Sequence, residues 1–531
     1  MLREEKIWIA NNEAGEPVYL EPRMANRHGL VAGATGTGKT VTLKVMAETF
    51  SDMGVPVFMA DVKGDIAGMM NPGIDSEDMQ ARIERFGLAE HGFQYQGYPV
   101  ALWDIFGQNG IQLRTTVSEM GPLLLARILG LNDLQSDILS VVFKIADDQQ
   151  LLLIDTKDLK ALLNYVDDHS AEFQADYCKI SSASIGVIIR AIVALETAGG
   201  DVFFGEPALN IIDWLAQDNG KGVINILDSS SLINDSKLYS TFLLWMISEL
   251  FETLPEVGDL DKPKMIFFFD EAHLLFADIS KALLEKIEQV VKLIRSKGVG
   301  VYFCTQNPKD IPDSVIAQLG NKVQHGLRAF TPADQTMVRA AADAFRVNPD
   351  FDTYDTILNL GTGEAVISFL GEDGIPGIVQ KASVLPPRTL MGAVSDAERD
   401  AKIKSSILYS KYANAVDPDS AFEFLQRKGI EDAEAAAALA EQQAAEKAAE
   451  KEAKAAEKEA EKKAKAEAKA AEREEAKKRK AANQVGNTMA GTVGREVGKI
   501  VGSNFGKFGK TLGGNVGAQL ARGIFGTFLK K

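Results

Sequence analysis

The run Gly33-Ala34-Thr35-Gly36-Thr37-Gly38-Lys39-Thr40 constrains this chain more than any other stretch. Its spacing is GxxxxGK[ST]. A strand-like apolar run, His28–Ala32, precedes it, and a helical run, Thr40–Asp52, follows it. A loop of this kind wraps a β-phosphate with successive backbone N–H groups, and the positive end of the next helix adds to the attraction. Lys39 is expected to reach the β- and γ-phosphates and the Thr40 hydroxyl to ligate Mg²⁺. ATP and Mg²⁺ are therefore the expected ligands, held by Gly33, Ala34, Thr35, Gly36, Thr37, Gly38, Lys39 and Thr40.

Such a loop also needs a metal-holding carboxylate at the end of another strand. Met265-Ile266-Phe267-Phe268-Phe269-Asp270-Glu271 has that form. Asp270 is expected to hold Mg²⁺, directly or through water. Glu271 is placed to orient or deprotonate the attacking water, the second carboxylate of ATPases that carry their own base. Asp270-Glu271-Ala272-His273 spells DEAH, but the other motifs of DEAH helicases are not visible, and His273 reads as a residue packed beside the strand end. The run Val299–Cys304 leads into Thr305-Gln306-Asn307-Pro308, where Gln306 suits either a γ-phosphate sensor or a strand-end cap. Arg295 follows the next helix, as an arginine finger toward a neighbouring subunit's ATP or as a cation on a helix carboxyl end. Asp61, closing the run Val55–Ala60, resembles a second acidic residue facing the phosphates.

Further β-rich runs lie at Tyr98–Trp103, Gly222–Leu227, Lys322–Arg328 and Glu364–Phe369, with helical patterns between most of them. The alternation predicts an α/β fold with a mostly parallel sheet covered on both faces. Residues 115–215 are almost purely helical, which reads as an insertion in a core spanning 1–390 or as helices covering the sheet. Residues 391–432 read as a helical linker. Residues 433–482 are nearly all Ala, Glu, Lys and Arg, with i,i+4 pairs such as Glu459–Lys463, a solvated helix or spacer of roughly 75 Å. Apolar heptad positions are missing, so a coiled coil is not expected.

In residues 483–531, Gly494, Gly498, Gly502 and Gly506 recur every four residues, and seven basic residues face one acidic residue. Small residues at that spacing let helices approach closely, which fits self-association, membrane-surface contact or a flexible tail. Residues 1–430 carry 38 basic and 59 acidic residues, so the body is not coated with nucleic-acid-binding surface, although a pore lined by a few Lys and Arg is compatible with that balance. Two cysteines and five scattered histidines offer neither a disulfide framework nor a zinc site. The start lacks the apolar core of a secretion signal and no long uncharged apolar stretch exists, so the sequence predicts a cytoplasmic protein.

Asn26-Arg27-His28-Gly29-Leu30-Val31-Ala32-Gly33 leading into the loop, Asp61, Asp270-Glu271, Arg295, and Thr305-Gln306-Asn307-Pro308 followed by Asp310-Ile311-Pro312 together resemble the HerA/FtsK class of ring ATPases. Phe203-Phe204-Gly205-Glu206-Pro207 and the glycine-rich tail resemble its YjgR branch. The resemblance covers most of residues 1–390. It implies a RecA-like core, ATP-driven work, and usually a hexameric homo-oligomer with arginine fingers acting in trans. HerA translocases carry a β-barrel of roughly a hundred residues ahead of this loop, and Lys39 stands too near the start for one here, so the tail is an alternative route to assembly.

Three functions follow as expectations. The first is a Mg²⁺-dependent ATPase motor translocating DNA through a ring, helicase-like in kind. The second is an ATPase moving or remodelling protein, of secretion-coupling type, engaging a protein partner or membrane surface through 483–531. The third is an ATP-gated interaction scaffold.

Overall fold

The strands around the phosphate-binding loop are short apolar runs buried on both faces, the pattern of a central parallel sheet. The computed structural model describes residues 1–177, 179–232, 236–277, 279 and 281–479. Cys178 and the glycine-spaced tail at 483–531 lie outside the described residues.

An antiparallel trio, β1 (Leu2–Arg3), β2 (Lys6–Asn12) and β3 (Pro17–Leu20), precedes β4 (Gly29–Ala32), α1 (Lys39–Asp52) and β5 (Val57–Asp61). Helix α2 (Glu77–Arg85) leads to β6 (Val100–Asp104) and β7 (Ile111–Gln112). The helices α3 (Val117–Ile128), α4 (Asp133–Asp148), α5 (Thr156–Asp168), α6 (Ser170–Asp176) and α7 (Ser182–Thr197) follow. A small hairpin, β8 (Gln217–Asp218) and β9 (Lys221–Gly222), returns the chain to β10 (Ile224–Asp228) and α8 (Ser236–Thr253). Then come β11 (Met265–Phe269), α9 (His273–Phe276), α10 (Lys281–Ile294), β12 (Val299–Thr305), α11 (Asp313–Ile316) and β13 (Asn321–His325). Helices α12 (Pro332–Asp343) and α13 (Thr353–Asn359) precede β14 (Glu364–Ser368) and β15 (Gln380–Val384). The chain continues with α14 (Asp396–Ser405), α15 (Tyr409–Tyr412) and α16 (Ala421–Arg479).

Thirteen strands form one sheet, in the order β1-β2-β15-β14-β13-β4-β12-β11-β5-β10-β6-β7, with β3 on β2. From β13 to β7 every pairing is parallel. The strands from β14 to β1 extend it antiparallel. Parallel strands end on one edge, so the carboxyl ends of β4, β5, β11 and β12 gather there. Each β-rich run read from the sequence overlaps a parallel strand or β14. Beyond β14 the antiparallel flank was not read from the sequence; β15, Gln380-Lys381-Ala382-Ser383-Val384, alternates in burial and carries polar residues.

Residues 115–215 are helical, with their starts written into the sequence as reciprocal caps. Thr116 pairs with Glu119, Asn132 with Gln135 and Asp155 with Asp158, each satisfying otherwise unpaired N–H groups of a first turn. Helix α3 packs on α4 and on α8, while α4 and α5 pack on α7. The chain re-enters the sheet through Trp214, whose ring stacks on Phe58 at 5.0 Å. The buried Asn225 side chain ties β6 to the returning chain, accepting from Trp103 Nε1 at 3.1 Å and donating to the Trp214 carbonyl at 3.2 Å.

The stretch read as a linker is instead packed on the body. Ile403, Tyr412, Ala421 and Leu425 join the main core, and Tyr412 stands edge-on to Trp103 at 5.6 Å. Asp158, buried at the start of α5, accepts from Ser420 Oγ at 2.6 Å and Phe422 N at 2.8 Å. The body therefore runs from Met1 to Ala433, with residues from 434 onward a separate unit. Helix α16 begins at Ala421 rather than near 433, because Phe422, Phe424 and Leu425 continue a helical pattern that no proline interrupts. Among the described residues no helix is long and apolar enough to cross a membrane.

Helix α1 is fastened to the segment after β15 by one buried carboxylate. Glu48 accepts from Arg388 N at 3.0 Å, Thr389 N at 3.0 Å and Thr389 Oγ1 at 2.7 Å, and Arg388 also pairs with Asp52. Burial raises the Glu48 carboxyl above its ordinary range, against the pull of these donors. Removing the carboxylate leaves several buried donors without partners. Glu48→Ala is expected to cost about 3 kcal/mol of stability, read as a lowered urea midpoint of the first transition, with Leu20→Ile as a packing control.

Candidate active site

The phosphate-binding loop sits over the end of β4 and is tied on both sides. Gly33 N donates to the Thr305 carbonyl at 3.2 Å and Ala34 N to the Gly326 carbonyl at 2.9 Å. Gly363 N donates to the Thr37 carbonyl at 2.9 Å, and Thr37 Oγ1 to the Ala34 carbonyl at 2.7 Å. Two glycines are required by space and conformation. A Cβ on Gly33 would fall 2.5 Å from the Cβ of His325, and Gly38, at φ +117°, lies against Gly363. That cradle is a loop whose backbone lies bare to a ligand, the fit expected for a phosphate.

Lys39 is buried, and its ammonium donates to the carbonyls of Gly33 at 2.6 Å and Ala34 at 3.1 Å. Burial lowers its pKa, and the nearby Asp270 and Glu271 oppose that shift. Thr40 is half-buried on the first turn of α1.

Asp270 follows β11. Burial raises its carboxyl, and the adjacent Glu271 charge adds to the rise. Its Oδ1 accepts from Glu271 N at 2.9 Å, its carbonyl accepts from Tyr239 OH at 2.9 Å, and the buried Cys304 thiol lies beside the carboxylate. Glu271 adopts φ +48°, a left-handed conformation uncommon outside glycine. Its Oε1 accepts from Gln306 Nε2 at 3.0 Å, while Gln306 Oε1 accepts from Thr35 Oγ1 at 3.0 Å. The other oxygen, Oε2, is buried and makes no hydrogen bond, with His273 Nδ1 3.4 Å away. A side-chain chain thus runs from the phosphate loop through Gln306 to a carboxylate with one oxygen uncommitted. Such a carboxylate suits a base for water.

Asp61, buried at the end of β5, is turned into its own loop. Its oxygens accept from the N–H groups of Gly64 at 2.7 Å, Asp65 at 3.2 Å, Ile66 at 2.9 Å and Ala67 at 3.3 Å. Burial, with Asp65 nearby, pushes its pKa up to about 6 in spite of these donors. The loop it holds brings the Lys63 charge within electrostatic reach of Lys39 and Asp270. Lys63 escaped the sequence reading. The turn Asp61-Val62-Lys63-Gly64-Asp65, an Asp two residues before a Lys-Gly pair, is the signal that could have found it.

The structure brings Gly33 to Thr40, Asp270, Glu271 and Gln306 together. It does not bring Arg295. That residue is exposed in a turn just before β12, where Asn26 Nδ2 donates to its carbonyl at 3.4 Å. The seven-residue strand β12 separates it from Thr305, about 20 Å away at the other edge of the sheet. The arginine is thus remote from the phosphate loop of its own chain. His325, fully buried beside Gly33, is a second residue the sequence reading passed over, because a lone histidine in an apolar run carries no motif. Cys304 is a buried free thiol, as its strand position implied.

A family model described as Helicase HerA-like C-terminal matches residues 6–531. Over 353 residues the chain is 22% identical to the DNA double-strand break repair helicase HerA of Sulfolobus acidocaldarius, covering 64% of this chain and 62% of that protein. It is 23% identical over 355 residues to the DNA import protein CedB of the same organism, covering 66% of this chain and 51% of that one. The chain therefore spans less than two thirds of these curated relatives. Among solved structures, it is similar to the plasmid coupling protein TrwB in complex with a non-hydrolysable ATP analogue. The TM-score there is 0.50 and the identity 17%, over 75% of this chain and 93% of that one. The fold is the RecA-like P-loop fold, with an antiparallel flank added to its parallel sheet. By the match over nearly its whole length, the chain belongs to the HerA-like C-terminal helicase family.

Proposed function

We propose that this chain is a Mg²⁺-dependent ATPase whose hydrolysis drives a ring motor acting on DNA. The observation that carries the reading is the linked set Thr35, Gln306 and Glu271 beside Asp270 and Lys39, all on one edge of the sheet. The backbone from Gly33 to Thr40 cradles the β-phosphate. Lys39 exchanges the carbonyls of Gly33 and Ala34 for the β- and γ-phosphate oxygens. Thr40 and Asp270 would hold the metal, whose charge, when bound, would offset the negative charge on those oxygens. Glu271 takes the proton of the attacking water through its uncommitted oxygen. Gln306 senses the γ-phosphate. Asp61 acts through the loop it holds, which carries Lys63.

The names of the HerA and CedB relatives support a DNA substrate, and a homo-hexamer is the assembly we favour. In such a ring Arg295, remote from its own phosphate loop, serves a neighbour's. One observation favours a second reading, an ATPase that moves protein: the acidic balance of residues 1–430, which disfavours a phosphate backbone over the body as a whole.

Steady-state hydrolysis, with and without long double-stranded DNA, separates the two. Stimulation by DNA is expected, and rates indifferent to DNA would move the assignment to a protein substrate. Glu271→Gln is expected to lower kcat at least about 10²-fold while a fluorescent ATP analogue still binds. Lys39→Ala is expected to abolish that binding. Arg295→Ala is expected to be as inactive as Glu271→Gln when each is assayed alone. Mixing the two should restore activity, because a site with an intact base then borrows its arginine from the other subunit. No recovery on mixing would remove the trans role of Arg295.

A further inference from the structure

We infer that His325 is a positioning residue for the nucleotide, seating the phosphate loop by bolting helix α1 to the first residue of β14. The inference rests on the ATP-site reading above and adds to it a residue outside the loop and outside the acidic pair.

His325 ends β13, the parallel neighbour of β4, so its ring stands beside the first residue of the loop. Its Cβ occupies the space a side chain on Gly33 would need, and its Cε1 lies 3.4 Å from where a Cβ on Gly38 would stand. His325 thus lies against the first and last glycines of the loop, its Cβ beside Gly33 and its ring edge beside Gly38. Its two nitrogens point to different elements. Nδ1 lies 2.9 Å from the Glu364 carbonyl and Nε2 lies 2.8 Å from Thr42 Oγ1, on the first turn of α1.

The partners fix the tautomer. A carbonyl only accepts, so Nδ1 carries the proton and donates to Glu364. Nε2 then accepts from the Thr42 hydroxyl, whose other acceptor, the Gly38 carbonyl, is more distant at 3.4 Å. Burial, with Lys39 nearby, lowers the imidazole pKa to about 4, so the ring is neutral at ordinary pH. A neutral ring with both nitrogens satisfied adds no charge beneath the phosphates and holds one geometry. The turn before β14 also reaches the loop directly, through Gly363 N and the Thr37 carbonyl. Removing His325 leaves the Glu364 carbonyl and the Thr42 hydroxyl without these partners and opens space beneath the two glycines. The loop then loses the fixed backbone on which phosphate binding depends.

The test uses the full chain with His325→Ala, His325→Asn and Thr42→Val, measuring equilibrium binding of a fluorescent ATP analogue, KM and kcat for ATP, and thermal melting. His325→Ala is expected to raise Kd and KM at least about tenfold while kcat at saturating ATP stays within about threefold. His325→Asn, whose amide can still donate to Glu364, should recover part of the affinity. Thr42→Val should weaken binding in the same direction. Unchanged Kd and KM with a lowered melting temperature would reduce His325 to a packing residue and overturn the inference. A fall in kcat at unchanged Kd would overturn it as well. If His325→Ala does not fold, Thr42→Val decides. Failure of the wild-type chain to bind the analogue any better than Lys39→Ala would instead defeat the ATP-site reading, and this inference with it.

Discussion

Close contact between backbone and backbone at the end of β4 is the constraint on which the rest of the site depends. The phosphate loop is flanked by Thr305 on one side and by Gly326 and Gly363 on the other, with hydrogen bonds of 2.9 to 3.2 Å. That approach is possible only where no Cβ intervenes, which is why Gly33 and Gly38 are fixed by space as well as by φ. Parallel pairing of β13, β4 and β12 sets the strand ends level, so the loop meets both neighbours at once. The antiparallel turn into β14 then closes the third side.

Electrostatics at this edge is a balance of buried opposites. Lys39 is disfavoured as a cation by burial and supported by two carboxylates. Asp270 is disfavoured as an anion by burial and by its own neighbour. Among the described residues neither charge is matched by a close ion pair, since Lys39 is engaged by carbonyls and Asp270 by the Glu271 N–H. A polyanion with a divalent cation offers the missing counter-charges to both sides, which is why ligand binding and local order belong together in this site.

Much of this was legible in the sequence because phosphate binding imposes spacing. Glycines at fixed offsets, a lysine on a helix start and an acidic pair after five apolar residues are local features, and the parallel strands are short saturated apolar runs. What escaped was set by partners far away in the chain. The N-terminal strands and β15 are short, and their place in the sheet is set by pairing between the two ends of the body, which no local pattern shows. Asp61 looked like a group facing the phosphates, yet its carboxylate is spent on four backbone N–H groups of its own loop. The segment after residue 390 looked like a linker because its apolar residues are sparse. Tyr412 and Ala421 are buried all the same, against surfaces supplied by residues hundreds of positions earlier. His325 shows the same limit inside the site: only the structure reveals that it faces Gly33.

The attachment of α16 has a mechanical meaning. Its first turns are fastened by Asp158, a buried carboxylate that also caps α5, and by Lys428 donating to the Tyr165 hydroxyl at 2.6 Å. Strain in residues 421–428 therefore reaches α5 first. The segment ahead of α16 meets the sheet directly, α14 against β6, α15 against β7 and Tyr412 against Trp103. In engineering terms the first turns of the helix are mounted on a bracket, with Asp158 as its bolt.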